Sequence, residues 1–154
     1  MTARLNMMSP EAKKPLELLM AIEAYVEGSG LDHGLLLLVK TRASQINGCA
    51  YCLHMHTSDA LKAGETPARL FLLDAWHESN LYTPRERAAL AWTEALTKVS
   101  QTHAPDADYQ AAAAVFSKQE LIDLTLAIGM INTWNRISIG FRAEHPHDRV
   151  KQAA

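Results

Sequence analysis

Residues 35–64, which decide the fold, read LLLLVKTRASQINGCAYCLHMHTSDALKAG. The run from Leu35 to Val39 is apolar on every side, which is typical of a helix in the middle of a protein core. Asp32 precedes this run as a helix-capping residue, and Gly48 suits the end of the same helix. A second helix then begins near Cys49 and stops at Gly64. The stretch therefore predicts two consecutive helices joined at Gly48.

Capping signals and apolar periodicity predict further helices on both sides of this stretch. Their start signals are Ser9 with Pro10, Thr66 with Pro67, Asp106, and the capping boxes Thr83 with Glu86 and Ser117 with Glu120. No run of alternating β-branched residues competes with these helices. We therefore expect an all-α fold, a helical bundle of about seven helices that forms a single domain over residues 1–154.

The composition narrows the class of protein. Of the 154 residues, 48% are hydrophobic and 21% are charged, which is typical of a soluble domain that folds without disulfides. The net charge of −2 leaves no excess of lysine and arginine for nucleic-acid binding. Residues 1–10 contain one arginine and no apolar run of the length typical of a signal peptide, and nowhere do 18 or more apolar residues follow one another. We expect a cytoplasmic protein that binds neither nucleic acid nor membranes.

The two cysteines, Cys49 and Cys52, stand three residues apart at the start of a predicted helix. At about 100° per residue, Cys52 lies near 300° and His56 near 340° from Cys49, whereas His54 lies near 140°. Cys49, Cys52 and His56 therefore share one helix face. A thiol in the first helical turn feels the partial positive charge of unpaired N–H groups, which favours the thiolate. His56 follows Cys52 by one turn, within reach as a base or an imidazolium partner.

Such a cysteine pair can carry out redox chemistry. A thiolate can attack the O–O bond of a hydroperoxide to give a sulfenic acid, and the second thiol can condense with it to a disulfide. An external dithiol or protein reductant must then reduce the pair, and no cofactor or metal is needed.

Two alternative interpretations of the cysteine pair stay open. Cys49 and Cys52 could be small buried apolar residues, or they could bind zinc with His56, although such a site lacks its usual fourth ligand.

The stretch from residue 37 to 66 resembles the carboxymuconolactone decarboxylase and alkylhydroperoxidase D-like family. Two downstream segments, RERAALAWTEALT (85–97) and INTWNRISIGFR (131–142), are similar to a peroxidase-related branch of it. The resemblance covers roughly residues 16–142. It implies an all-helical fold, reduction of hydroperoxides by a redox-active cysteine pair, and a homotrimer or homohexamer. It also implies that Cys52 is the peroxidatic cysteine, Cys49 the resolving cysteine and His56 the histidine of the site.

The resemblance also implies a relay glutamate twelve residues before the first cysteine, where this sequence has Leu37. Glu94 is our candidate for a substitute catalytic carboxylate, because it lies on a helix whose Leu90, Trp92 and Leu96 should face inward. A surface or structurally paired carboxylate is the alternative interpretation of Glu94.

Two other functions stay open for the chain: a lactone decarboxylase-like enzyme of the same fold, and a non-catalytic thiol switch or zinc-binding protein.

Apolar residues are numerous for a small helical chain. Trp76, Trp92 and Trp134 are among the side chains that one small core would leave without a partner, which predicts a symmetric homo-oligomer. Trp134 begins a Trp-Asn-Arg segment within an apolar helix. We interpret Trp134, Asn135 and Arg136 as packing residues whose polar groups are satisfied.

Overall fold

The computed structural model describes residues 2–145. The regular structure of these residues is entirely helical, with two 3-10 helices, Pro10–Ala12 and Leu73–Glu78. The α-helices are α1 (Lys13–Glu27), α2 (His33–Asn47), α3 (Ala50–Lys62), α4 (Pro67–Leu72), α5 (Pro84–Thr97), α6 (Val99–Thr102), α7 (Asp106–Ala113) and α8 (Lys118–Phe141). The predicted all-α fold is confirmed. The helix missing from the expected set is α6, which is too short to show a 3.6-residue apolar period.

Local capping explains most helix boundaries. The Asp32 side chain accepts a hydrogen bond from the Leu35 N–H at the start of α2. Complete capping boxes open α5 at Thr83 and α8 at Ser117. The first helix differs from the prediction, because the Ser9 side chain makes no capping hydrogen bond and a 3-10 turn precedes α1. The helix starts were predicted correctly where the capping side chain accepts a hydrogen bond from a backbone N–H three residues later.

Helix α2 lies at the centre of the structure. Every residue from Leu35 to Ser44 is buried, as the apolar run predicted. The helix packs against α3, α5 and α8. The buried part of α2 also includes the charged residues Lys40 and Arg42, which must find partners because an unpaired buried charge is very costly.

Helices α2 and α3 form an antiparallel hairpin around Gly48, whose backbone φ is 68°. Two apolar clusters lie between the helices: Leu37 and Ala60 belong to one, and Ala43 and Cys52 belong to the other. The hairpin therefore brings the cysteine end of α3 against the carboxyl-terminal half of α2.

The apolar side chains exposed on the surface are not the tryptophans that we predicted from the sequence. Trp76 and Trp92 are 3% and 7% exposed, so the chain itself buries two side chains that we expected to lack a partner. The large apolar side chains that are more than half exposed are instead Leu5, Met8, Leu18, Met20, Tyr25, Phe71 and Ile122. Among residues 2–145, no helix has the length and apolarity needed to span a bilayer.

Candidate active site

The two cysteines lie at the N-terminus of α3. Cys49 is the N-cap residue, and its sulfur accepts a hydrogen bond from the Cys52 backbone N–H at 3.4 Å. The Sγ atoms of Cys49 and Cys52 are 2.6 Å apart, and both cysteines are free thiols that are 1% exposed. The local sequence explains this arrangement: Gly48 adopts the left-handed conformation that ends α2, and α3 begins two residues later. The spacing and the helix start therefore bring the two sulfur atoms into contact.

The two thiols differ in acidity. The hydrogen bond from Cys52 lowers the pKa of Cys49 to about 7, against the opposing effect of burial. The same contact raises the pKa of Cys52, and burial raises it further. When one of two thiols this close loses its proton, the other can donate to it, and the backbone N–H of Cys52, which donates to Cys49 Sγ, favours the thiolate on Cys49.

Asn135 on α8 is a site residue that the sequence did not reveal. It is fully buried, and its hydrogen bonding, together with that of Ser138, lowers the pKa of Cys49. Its Nδ2 atom lies 3.0 Å from Ser44 Oγ, and its Oδ1 atom accepts from Asn47 Nδ2 at 2.8 Å. The interpretation of this segment as packing therefore omitted a side chain that lowers the pKa of the cysteines. The one available signal was an amide side chain within an otherwise apolar stretch of α8.

His56 is buried on α3, one helical turn after Cys52, with 8% of its surface exposed. Burial lowers its pKa to about 4, and the positive charge of Lys40 lowers it as well. The imidazole is therefore neutral at physiological pH and can accept a proton. His54 lies elsewhere, as expected from its angle on the helix, since its ring contacts His145 at a centroid distance of 4.5 Å. Within residues 2–145 no group of three or more His, Cys, Asp or Glu side chains is arranged to hold a metal ion, so the geometry gives the zinc alternative no support.

A charged cluster around the buried Lys40, also missed from the sequence, connects α1 with α2. Lys40 Nζ donates to Glu23 Oε2 at 3.0 Å and to Glu27 Oε1 at 2.7 Å. Glu23 Oε1 in turn accepts from the indole Nε1 of Trp134 at 2.8 Å, and Trp134 packs against the cluster that contains both cysteines. We call Glu23, Lys40 and Glu27 the charged triad. Only the packing of α1 on α2 shows that these residues belong to the site.

Glu94 is held in a different set of contacts. Its Oε1 atom accepts from Trp76 Nε1 at 2.7 Å and from Arg42 Nε at 2.9 Å, and His77 Nε2 lies 3.7 Å from its Oε2 atom. Burial would raise the pKa of Glu94, but the contacts with Trp76 and Arg42 lower it overall. The structure therefore brings Cys49 and Cys52 into contact, keeps His56 one helical turn after Cys52 on α3, and pairs Glu94 with Arg42. A relay role for Glu94 stays a prediction.

Leu37, at the position of the family's relay glutamate, is 4% exposed. It packs in the apolar cluster of Ala60, Leu70, Leu73, Trp76, Tyr82 and Leu90, not in the one that holds the cysteines. It also lines a cavity of about 330 Å³ with the charged residues Asp32, Glu65, Arg69 and Glu86. Leucine at this position completes an apolar core beside the site.

A second cavity, of about 370 Å³, is lined by neighbours of the cysteine pair, although neither cysteine lines it. Its lining includes Ser138, which lowers the pKa of both thiols, and Trp134, which packs against the cluster that contains them. Its apolar lining comes from the N-terminal segment, α1, α3 and α8, and includes Leu5, Met7, Met8, Leu16, Tyr51, Ile137 and Phe141. The cavity therefore offers an apolar small molecule a place close to the thiols.

Comparison with known proteins identifies relatives of the whole fold. The carboxymuconolactone decarboxylase family matches residues 10–95. The uncharacterized protein YdfG of Bacillus subtilis (strain 168) is 41% identical over 128 residues, which are 83% of this chain and 87% of YdfG. ATU0492 of Agrobacterium tumefaciens, a protein of unknown function proposed as the antioxidant defence protein AhpD, is 46% identical. Its structure matches with a TM-score of 0.88 over 94% of this chain and 99% of ATU0492.

A more distant structure, an uncharacterized peroxidase-related protein from Silicibacter sp. TM1040, is 21% identical. It matches with a TM-score of 0.74 over 84% of this chain and 69% of its own. At that identity the likeness shows the helical fold alone. The match to the family over more than half of the chain, and the similarity to YdfG and ATU0492 along most of their length, agree with one another. This chain belongs to the carboxymuconolactone decarboxylase family.

Proposed function

We propose that this protein is a thiol-dependent peroxidase that reduces organic hydroperoxides through a disulfide cycle of Cys49 and Cys52. The observation that carries the proposal is the 2.6 Å separation of two free thiols at the N-terminus of α3. A disulfide bond has an S–S length of about 2.05 Å, so oxidation of the pair requires little movement. Reduced thiols of this kind fit a cytoplasmic location, where thiols are kept reduced and disulfides are transient.

Cys49 attacks first in this proposal. Its thiolate bonds to the terminal oxygen of the hydroperoxide, the O–O bond breaks, and the departing alkoxide takes a proton to become an alcohol. Cys49 is then a sulfenic acid. The family resemblance implies that Cys52 attacks instead. We favour Cys49 because the helix N-terminus and the hydrogen bond from Cys52 hold the negative charge on its sulfur, and the thiolate is the nucleophile.

Cys52 resolves the intermediate. Its sulfur attacks the sulfenic sulfur of Cys49, the S–O bond breaks, and the hydroxide that leaves becomes water. Because the pKa of Cys52 is raised, this step needs a base, and neutral His56 one helical turn later can take the proton and pass it to the departing hydroxide. An external dithiol or protein reductant then supplies two electrons and two protons to regenerate the thiols.

The cavity of about 370 Å³ lined by neighbours of the cysteines supports an organic substrate. Its lining of methionine, leucine, isoleucine and aromatic side chains favours an alkyl or aryl hydroperoxide over hydrogen peroxide, because only an organic group buries apolar surface there. The similarity to ATU0492, which has been proposed as an antioxidant defence protein, supports the same reaction class.

Trapping of the sulfenic acid tests the cycle. Purified wild type, Cys49→Ser and Cys52→Ser are treated with an aryl hydroperoxide, with and without dimedone, and analysed by intact mass. We expect wild type to lose two hydrogens and regain them with dithiothreitol. Cys52→Ser should give a dimedone adduct at Cys49, and Cys49→Ser should react slowly. His56→Gln should slow disulfide formation, whereas the matched variant His54→Gln, on another face of α3, should not.

Other results would contradict parts of this proposal. An adduct on Cys52 of Cys49→Ser, with none on Cys49 of Cys52→Ser, would reverse the two roles and keep the cycle. Folded wild type that retains two free thiols after hydroperoxide would reject the peroxidase. Zinc that co-purifies and protects both thiols would establish the zinc-binding alternative, and turnover of a lactone acid by a chain inert to peroxide would establish the decarboxylase-like one.

A further inference from the structure

Lys40 is only 5% exposed, although lysine is rarely buried in proteins. Its ammonium group is satisfied by Glu23 and Glu27 on α1. A buried charged group of this kind often gives no more stability than apolar residues of the same size, because desolvation of the charges is expensive. Stability alone therefore does not explain the charged triad, and a function of Lys40 is the alternative explanation.

The alignment of α2 with α3 places Lys40 level with His56. Helices α2 and α3 pack against each other and are joined at Gly48 and Cys49, so they run antiparallel. Leu37 and Ala60 belong to one apolar cluster, and Ala43 and Cys52 belong to another, as an antiparallel pairing requires. Lys40 lies midway between Leu37 and Ala43 on α2, and His56 lies midway between Cys52 and Ala60 on α3, so the pairing places the two residues at about the same level. Both side chains are buried, and the charge of Lys40 acts on the His56 ring.

The charges that act on the His56 ring come from each neighbouring element. Lys40 on α2 disfavours a protonated ring, whereas Asp59 on α3 itself and Glu27 on α1 favour it. Helix α8, which also packs against α3, directs the uncharged Asn135 and Ser138 at the cysteines. Lys40 is thus the cation that opposes protonation of the ring.

We propose that Lys40 is a positioning residue for disulfide formation, whose buried ammonium, held level with His56 by Glu23 and Glu27, keeps that imidazole neutral as the base for Cys52. This inference rests on the proposed function, because it concerns the base of the resolving step. Lys40 acts one helical turn along α2 from Leu37, where the family's relay carboxylate is missing.

The two carboxylates keep Lys40 in its charged form. Burial alone would lower the pKa of Lys40, but the hydrogen bonds and charges of Glu27 and Glu23 raise it. Glu23 also joins the triad to the cysteine end of the site through Trp134. The triad carries a net charge of −1, with its cation on α2, the helix that packs against α3, and its two carboxylates on α1.

Three variants separate the charge of Lys40 from its packing. Lys40→Met removes the cation, Lys40→Arg keeps it, and Lys40→Met with Glu27→Gln restores the triad's net charge of −1 without the cation. The pKa of His56 is measured by NMR of histidine-labelled protein in each reduced variant. We expect an increase of about one to two pH units in Lys40→Met, a smaller increase in the double variant, and little change in Lys40→Arg.

The rate of disulfide formation after hydroperoxide is measured from pH 4 to 8 in the same variants. A base of higher pKa is more protonated in acid, so Lys40→Met should form the disulfide about two- to tenfold more slowly at pH 5 and at an unchanged rate at pH 8. A merely structural defect would reduce the rate at every pH. If Lys40→Met does not fold, the double variant, which leaves one fewer unpaired carboxylate, provides the same comparison.

The two measurements distinguish the two hypotheses. A folded Lys40→Met or double variant whose His56 pKa equals that of wild type would overturn the role of Lys40. An increased His56 pKa with an unchanged acid limb of the rate profile would overturn it too. If every variant, wild type included, fails to form a disulfide with hydroperoxide, the proposed function fails, while the NMR shift still establishes that Lys40 controls the protonation of His56.

Discussion

The cysteine pair depends on polar side chains that are distant in the sequence. Asn135 is fully buried on α8 and connects Cys49, Ser44 and Asn47. An amide can donate to a thiolate without adding charge, which stabilises the anion at a modest desolvation cost. The contact with Cys52 makes Cys49 the more acidic thiol, whereas Asn135 and Ser138 lower the pKa of both cysteines.

Asn135→Ala should raise the pKa of Cys49 above about 7, because a donor to its sulfur is lost. The increase should be about half a unit to one unit, from a hydrogen bond worth about 1 kcal/mol. Thiolate absorbance at 240 nm as a function of pH measures it. Ser138→Ala is the matched control, with a smaller increase expected. An unchanged titration in Asn135→Ala would remove Asn135 from the site.

Glu94→Gln tests the catalytic candidate that the sequence suggested. Because Glu94 is paired with Arg42 and Trp76, we expect the variant to lose about 1.5–3 kcal/mol of unfolding free energy and to keep its disulfide-formation rate. Asp74→Asn is the control, since Asp74 also pairs with Arg42 but has a side chain that is 77% exposed, and it should cost less. A large loss of rate in folded Glu94→Gln would instead support a relay through Glu94.

At the scale of elements, the α2–α3 hairpin is what brings the site together. Gly48 ends α2 with φ at 68°, and the next residue, Cys49, caps α3. The antiparallel hairpin then aligns Lys40 with His56 and Ala43 with the cysteines. Glycine adopts this left-handed conformation without the steric cost that a side chain adds.

Gly48→Ala should lower the unfolding free energy by about 1–2 kcal/mol, because alanine is strained at positive φ even though no atom lies within 4 Å of its Cβ. Gly129→Ala makes the same chemical change inside α8, also without a contact, and should raise stability by up to about 1 kcal/mol. Denaturant unfolding measures both. Effects of the same sign in the two variants would contradict this account of the hairpin.

At the scale of the whole molecule, buried charge couples folding to pH. His56 has its pKa lowered to about 4 by burial and by Lys40, whereas an unfolded histidine keeps a pKa near 6.5. Below pH 6.5 the unfolded chain therefore binds a proton that the folded chain does not. The titration of His56 therefore leaves the unfolding free energy unchanged above pH 6.5 and decreases it as the pH falls from 6.5 towards 4.

His56→Gln should accordingly flatten the acid side of the stability curve. The loss of unfolding free energy between pH 7 and pH 4 should be smaller than in wild type by about 3 kcal/mol, at about 1.4 kcal/mol per pKa unit. Urea unfolding at several pH values measures it. His103→Asn, at an exposed position, is the control and should leave the slope unchanged. Parallel curves for wild type and His56→Gln would refute the coupling.

The homotrimer or homohexamer stays a prediction, now based on exposed side chains other than tryptophan. Phe71 is 82% exposed, Ile122 61% and Leu18 55%, and apolar side chains this exposed are favourable contacts for a second copy. Light scattering should give three or six times 17.0 kDa. A mass of 17.0 kDa at micromolar concentration would refute the prediction.

Features that depend on a few neighbouring residues were determined by the sequence itself. The capping boxes at Thr83 and Ser117, the end of α2 at Gly48 and the shared face of Cys49 and Cys52 follow from contacts within one or two helical turns. Helical geometry is regular enough for such relations to be worked out from spacing alone.

Only the tertiary structure decided which distant side chains complete the site. Lys40 meets residues 13 and 17 positions earlier, and Asn135 meets residues about 90 positions away. Glu94 shows the same limit, because nothing in its own helix indicates that Arg42 and Trp76 will bind it. A charged residue in a sequence has many possible partners, and the packing of the helices decides which of them it meets. A charge that this packing buries needs a partner of opposite charge, because an unpaired buried charge is very costly.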